Sequence, residues 1–477
     1  MTNETGTLRR RLCIILGPVL FILCWLVLPK SVFGTAASRQ AIGTVAWMAF
    51  WWITAPVDYA VTAFLPIAVN ALFEITDMSA VIANYASETI LLLLGASILI
   101  VSWEETGLDK RIAAKFLGII GSSYRGQLVF WFMVSMVLSA FLPNAVVCAT
   151  MTPLAIAMLK YIGEDNIAES KKGSKLLLYI AYATGIGGLA SPLGGAMNLV
   201  TVSYLQELTG EEYMYTSWVV RFLPIMIVLT IILFIFMLRD VKKGEMLGQA
   251  KEYFVEQYKQ MPKISKEEIC SLVIFIIAVI LSFTRQFYQD ILPGLKPAYT
   301  FIVCAIISFL ITNKNHGRIM VWKQVQTKIV WELIYIFAGG LALGTLMSGS
   351  GAVEDIGDAV SHAGVSTGII TVFVIITLTL LLSDVTSNTA TAAVAIPIVI
   401  SIIQGINVNP IPYVYIASIG VNLSFMLPTS IRAIPVGYGV EPKYMFKEGW
   451  KISVAIIIAM TLLSYIMLKY WGAFSTV

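Results

Sequence analysis

The chain has 477 residues, 58% of them hydrophobic and 13% charged, against about 25% charged in ordinary soluble proteins. So little polar surface excludes a soluble globule, and a formal net charge of +4 offers no footing for nucleic acid. The two His, His316 and His362, have no partners at ligand spacing, and the five Cys lack paired or CxxC spacing. Both facts argue against a zinc or haem centre and a disulfide framework.

Arg9, Arg10 and Arg11 precede an apolar run at 11–29 with no prompt small-residue cleavage site, which reads as a retained first span. Further runs long enough to cross a bilayer lie at 41–56, 58–74, 88–103, 175–205, 218–238, 269–284, 298–312, 331–348, 413–440 and 453–473. Two more, 126–159 and 369–403, are polar in their middles and read as re-entrant hairpins, which leaves eleven true spans. The fold class expected is an all-α polytopic membrane protein.

Charge tests that count. With the N-terminus in the cytoplasm, the inner connections collect Lys110, Arg111, Lys115 and Arg125; Lys160, Lys171, Lys172 and Lys175; and seven basic residues in 239–268. Lys314, Arg318, Lys323, Lys328, Lys443, Lys447 and Lys451 fall on the same side, whereas the outer connections hold only Lys30, Arg39, Arg285 and Lys296. This asymmetry is the positive-inside pattern of a plasma-membrane protein with its C-terminus outside. Reading either hairpin as a full crossing would flip every later loop.

The hydrophilic segment 239–268 suits an amphipathic linker helix on the inner surface. The chain then divides into N-terminal scaffold helices at 1–87, a first repeat at 88–238, the linker, scaffold helices at 269–330 and a second repeat at 331–477. The repeats show as pairs 244 positions apart: Gly95 with Gly339, Gly107 with Gly351, Ser139 with Ser383, Asn144 with Asn388, Pro153 with Pro397. The first copy begins on a span running outward to inward and the second on one running the other way. Such inverted repeats are typical of secondary transporters with a midplane site.

The stretch "SDVTSNTATAAVAIPIV" puts Ser387, Asn388 and Thr389 at the centre of the second hairpin, and Pro143, Asn144 and Ala145 at the centre of the first. Hairpin tips inside a membrane leave helix-start amides open, and these suit an anion. Each hairpin is followed by a span rich in breakers: "TGIGGLASPLGGAMN" within 175–205, containing Pro192 and Gly194, and "FMLPTSIRAIPVGYG" within 413–440, containing Thr429, Ser430 and Arg432. Arg432 is the sole basic residue deep in a predicted span. Its fork suits a carboxylate, and a structural pair with Asp384 is the plainer alternative.

On these residues the chain resembles the divalent anion/sodium symporter family over essentially its whole length. The resemblance implies an elevator-type homodimer in which hairpin tips bind the carboxylates of succinate, malate, 2-oxoglutarate or citrate. Sodium is the one cofactor it allows, placed by Ser139 and Asn144 in one half and Ser383 and Asn388 in the other; no other metal or cofactor is expected. Ser387, Asn388 and Thr389 match the family's tip motif, but Pro143 and Ala145 replace its Ser and Thr. The family's Pro-Pro-Asn-Ala is degraded in both broken helices, and Arg432 stands near the usual Asn.

Lost hydroxyls and an inserted guanidinium both disfavour a bound cation. The expected activity is therefore sodium-independent exchange of C4–C6 dicarboxylates, with sodium-coupled symport of di- or tricarboxylates or sulfate as the alternative. A channel would need a continuous polar stripe, whereas polarity here is confined to four midplane breaks. An intramembrane enzyme would need a nucleophile beside a base, and neither His nor Cys adjoins Ser387.

Overall fold

The computed structural model describes residues 2–117, 123–242, 244–247, 250–313, 317–362 and 367–477; Lys243, Lys314 and His316 lie outside the described residues. Among the described residues the regular structure is helical apart from two isolated β-bridges. The helices carry apolar side chains on both faces. Along Tyr215–Leu238, Trp218, Phe222, Ile225, Leu229 and Leu233 are buried, while Val220, Leu223, Ile227, Ile231 and Ile235 are exposed. A helix apolar all round is stable at a surface only when that surface meets lipid. Seven described helices are long and apolar enough to cross a membrane, and four shorter apolar helices accompany them.

Two expected spans take a different form. The run at 58–74 is two helices, Tyr59–Thr62 and Leu65–Phe73, because Pro66 lacks an amide hydrogen and restarts the helix. The last span begins earlier than 453, as Pro442–Tyr470. Lys443, Lys447 and Lys451 therefore lie on its first turns rather than in a connection.

The repeat pairs perform matching local jobs. Gly107 and Gly351 both end a helix with positive φ, +79° and +77°, where a side chain would be strained. Gly95 and Gly339 both let a helix touch foreign backbone: a Cβ on Gly95 would come 2.8 Å from the Phe301 carbonyl carbon, and one on Gly339 would come 2.5 Å from the Ala63 carbonyl oxygen. Pro153 and Pro397 each sit inside the helix that follows a tip.

The polar-centred segments are helix pairs. Tyr124–Ser139 and Asn144–Tyr161 meet at one break, Ile369–Val385 and Asn388–Gly405 at the other. Each is followed by a broken helix. Lys171–Gly188 stops, Pro192–Gly194 makes a 3-10 turn, and Ala196–Thr209 resumes. In the second half Ile411–Asn422 gives way to an irregular stretch, then Ser430–Arg432 and Ala433–Gly437.

The linker forms a helix at Ala250–Gln260 and runs along the ends of the first helix pair. The Tyr161 and Tyr253 rings lie 5.1 Å apart, Tyr124 N donates to Glu245 O at 2.9 Å, and Lys172 pairs with Glu245 at 3.2 Å.

Candidate functional site

Each helix break faces a hairpin tip, so the molecule holds two half-sites. In the first, Asn144 opens its helix behind Pro143, which offers no side-chain cap; Val146 N and Val147 N turn back to Pro143 O at 3.0 and 3.1 Å. Among the described residues no hydrogen bond engages the Asn144 side chain, and Ala145 is exposed. Asn144 lies against Gly188, where an added Cβ would come 3.3 Å from its own Cβ. Ser139 Oγ donates to Thr184 O at 2.7 Å.

Pro192 and Gly194 are buried in the break itself. A Cβ on Gly194 would lie 2.5 Å from both Ser139 O and Gly188 O, so only glycine lets these backbones converge. The break's carbonyls are gathered by Asn198, whose Nδ2 donates to Gly188 O at 2.6 Å and Ser191 O at 2.8 Å. Ser191 Oγ in turn donates to Ala140 O beside the first tip.

The second half-site is more closed. Ser387 caps its helix by accepting from Ala390 N at 3.1 Å, Asn388 Oδ1 accepts from Ser424 Oγ at 3.2 Å, and Asn388 and Thr389 are buried. Ser383 Oγ donates to Val421 O at 2.6 Å, the counterpart of the Ser139–Thr184 bond. The irregular stretch after Asn422 is held from two sides. Asp384 Oδ1 accepts from Phe425 N and Met426 N, both at 2.9 Å, and Thr429 Oγ1 donates to Asp384 O at 2.9 Å.

Arg432 takes the opposite polarity. It is 1% exposed, and it donates through Nε to Leu427 O at 3.0 Å, through Nη1 to Ser424 O at 2.9 Å and to Ser424 Oγ, and through Nη2 to Thr429 Oγ1 at 2.6 Å and Ser383 O at 3.4 Å. The fork expected to grip a carboxylate is thus engaged by protein oxygens. Nor does Arg432 form a direct ion pair with Asp384; the two grip one stretch of backbone, one by its carbonyls and the other by its amides. Ser430 beside them is exposed with φ +51°, a left-handed backbone uncommon outside glycine.

Sequence reasoning named the tips and Arg432 but not Asn198 or Ser424, and it weighed Asp384 only as a partner for Arg432. The signal for Asn198 was a buried-type polar residue directly after a Gly-rich break.

Helix starts paired across broken helices, inside a lipid-faced helical bundle, define a polytopic membrane transporter. The family described as "Citrate transporter" matches residues 49–420, and the chain belongs to it, in keeping with its resemblance to divalent anion/sodium symporters. It is similar to the sodium-dependent dicarboxylate transporter SdcS of Staphylococcus saprophyticus, 28% identical over 98% of this chain and 92% of that one. SdcS of Staphylococcus aureus is 29% identical over 95% and 90%. In fold alone it is similar to Neisseria gonorrhoeae MtrF, an antimetabolite efflux pump, at a TM-score of 0.54 and 12% identity over 95% and 97%.

Proposed function

We propose that the protein is a secondary transporter of C4–C6 dicarboxylates that exchanges them without sodium. The observation that carries this reading is the Arg432 cage. Five oxygen acceptors from the second tip and its broken helix converge on one guanidinium. An all-oxygen cluster of carbonyls and hydroxyls is the ligand set of a hard cation. Here a tethered cation fills it and supplies the positive charge that a dianion needs.

The substrate carboxylates sit at Pro143, Asn144 and Ala145 on one side and Ser387, Asn388 and Thr389 on the other, with Thr429 and Ser430 beside the second tip. Two helix starts direct partial positive charge at them. Pro192 and Gly194 shape the first break from within. The resemblance supports an elevator-type homodimer in the plasma membrane, N-terminus in the cytoplasm and C-terminus outside.

Sodium-coupled symport is the second reading. The names of the SdcS relatives favour it, as does the Asn144 amide, which no hydrogen bond engages and no cationic side chain adjoins among the described residues. Uptake of labelled malate into proteoliposomes, with and without internal dicarboxylate and in sodium or choline buffer, separates the two. Exchange requires internal substrate and ignores sodium; uptake into empty vesicles driven by a sodium gradient establishes the symporter.

A further inference from the structure

A buried chain of contacts joins the two tips. Asn144 lies against Gly188, Gly188 O accepts from Asn198 Nδ2 at 2.6 Å, and Asn198 Oδ1 accepts from Asn422 Nδ2 at 3.0 Å. Two residues beyond Asn422, Ser424 Oγ donates to Asn388 Oδ1 at 3.2 Å. One turn away Thr201 Oγ1 donates to Ser418 Oγ at 3.0 Å, a second rung between the same two broken helices. Asn198 and Thr201 are fully buried, Ser418 is 1% exposed and Asn422 3%.

The orientation of the Asn422 amide follows from its neighbours. Nδ2 serves both Asn198 Oδ1 and Ser418 O, at 3.0 and 2.9 Å, and turning the amide over would set acceptor against acceptor. Among the described residues that arrangement leaves Asn422 Oδ1 buried with no protein partner. The donor is therefore what the position supplies. Each broken helix has lost its own ladder of hydrogen bonds at the midplane, so the spacing of the tips depends on cross-ties of this kind.

We propose that Asn198 and Asn422 are positioning residues that fix the separation of the two tips and thereby set the chain length of the dianion accepted. The proposal rests on the dicarboxylate reading above. A substrate held at both ends reads tip separation directly, whereas one held at a single end does not. With the tie intact, each methylene added or removed moves a carboxylate out of reach of its tip. Without it, the tips adapt to several lengths.

The test is competition by malonate, succinate, glutarate and adipate against labelled succinate bound to the purified protein, for the wild type, Asn422→Leu and Thr201→Val. The wild type should prefer one length over its neighbours by about tenfold or more, the range that one methylene controls. Asn422→Leu should flatten the profile to within about threefold, and Thr201→Val should flatten it part of the way. An unchanged profile in Asn422→Leu overturns the proposal, however far its affinity falls. If Asn422→Leu does not fold, an unchanged profile in Thr201→Val does the same. A folded wild type that binds none of the four acids overturns the dicarboxylate reading, and this inference with it.

Discussion

Arg432 reaches the tip residue Asn388 through a single hydroxyl: its Nη1 donates to Ser424 Oγ, which donates onward to Asn388 Oδ1 at 3.2 Å. The guanidinium thus reaches the second tip through a protein hydroxyl, and on the proposed reading this relay orients the Asn388 amide with Nδ2 free for a substrate carboxylate. Ser424→Ala removes the relay while Ser424 O keeps its bond to Nη1. One such bond contributes about 1–1.5 kcal/mol, so the KM for the preferred dicarboxylate should rise about tenfold with little change in maximal rate. A fall in maximal rate at constant KM would place Ser424 elsewhere in the cycle.

Asp384 is the acceptor that keeps the irregular stretch open. Replacing it with Ala leaves the amides of Phe425 and Met426 without their acceptor. Each buried amide left unsatisfied costs about 1–3 kcal/mol. Thermal unfolding in detergent should show a large loss for Asp384→Ala and a smaller one for Asp384→Asn, whose carbonyl still accepts. Equal losses would mean that the charge, not the acceptor, is what the stretch needs.

The first break depends on the absence of a side chain. Gly194→Ala would drive a methyl to 2.5 Å from Ser139 O and Gly188 O, whereas an added methyl on Gly437 meets nothing within 4 Å among the described residues. Overpacking of that kind costs about 1–3 kcal/mol. Gly194→Ala should lose stability and dicarboxylate binding together, with Gly437→Ala close to wild type. Full binding in Gly194→Ala would show that the break can open by itself.

Asp109, on the helix Leu108–Leu117, faces Leu138, Leu142, Val146 and Thr150 around the first helix pair, and among the described residues its Oδ1 has no side-chain partner. Burial raises its carboxyl above the ordinary 3.8, and this outweighs the backbone hydrogen bonds from Lys110 and from its own amide and the charges of Lys110 and Lys328. The folded protein therefore keeps this proton to higher pH than the unfolded chain does. The stabilisation that goes with the raised value is fully present below the ordinary carboxyl range and lost as pH rises through the folded value. Asp109→Asn, which mimics the protonated form, should raise the unfolding temperature at pH 8 and give a shrinking gain as pH falls toward 4. An increment constant with pH would assign the effect to packing instead.

Much of this was legible in the sequence, because membrane burial writes itself as long apolar runs and breaks as clustered Gly and Pro. The offset of 244 residues anticipated that Gly107 and Gly351 would act alike, and both hold positive φ. What the sequence could not convey was which buried polar group meets which. Asn198 is marked only as a polar residue after a Gly-rich break and Asn422 by nothing local, and both acquire a role only when two broken helices cross. The aim of Arg432 was likewise invisible: a deep arginine says that acceptors are near, but not whether they belong to substrate or to backbone. The split of 58–74 follows from Pro66, a breaker outweighed in that reading by the apolar run around it.

The most direct test of the account asks whether Arg432 stands in for a bound cation, as proposed. Succinate binding to the purified protein should be measured in sodium and in choline, for the wild type and for Arg432→Ala. The account predicts equal affinity in both buffers for the wild type, and for Arg432→Ala a loss in choline that sodium partly restores by entering the vacated cage. Wild-type binding that requires sodium, or an Arg432→Ala protein that binds as well as the wild type in choline, would contradict it.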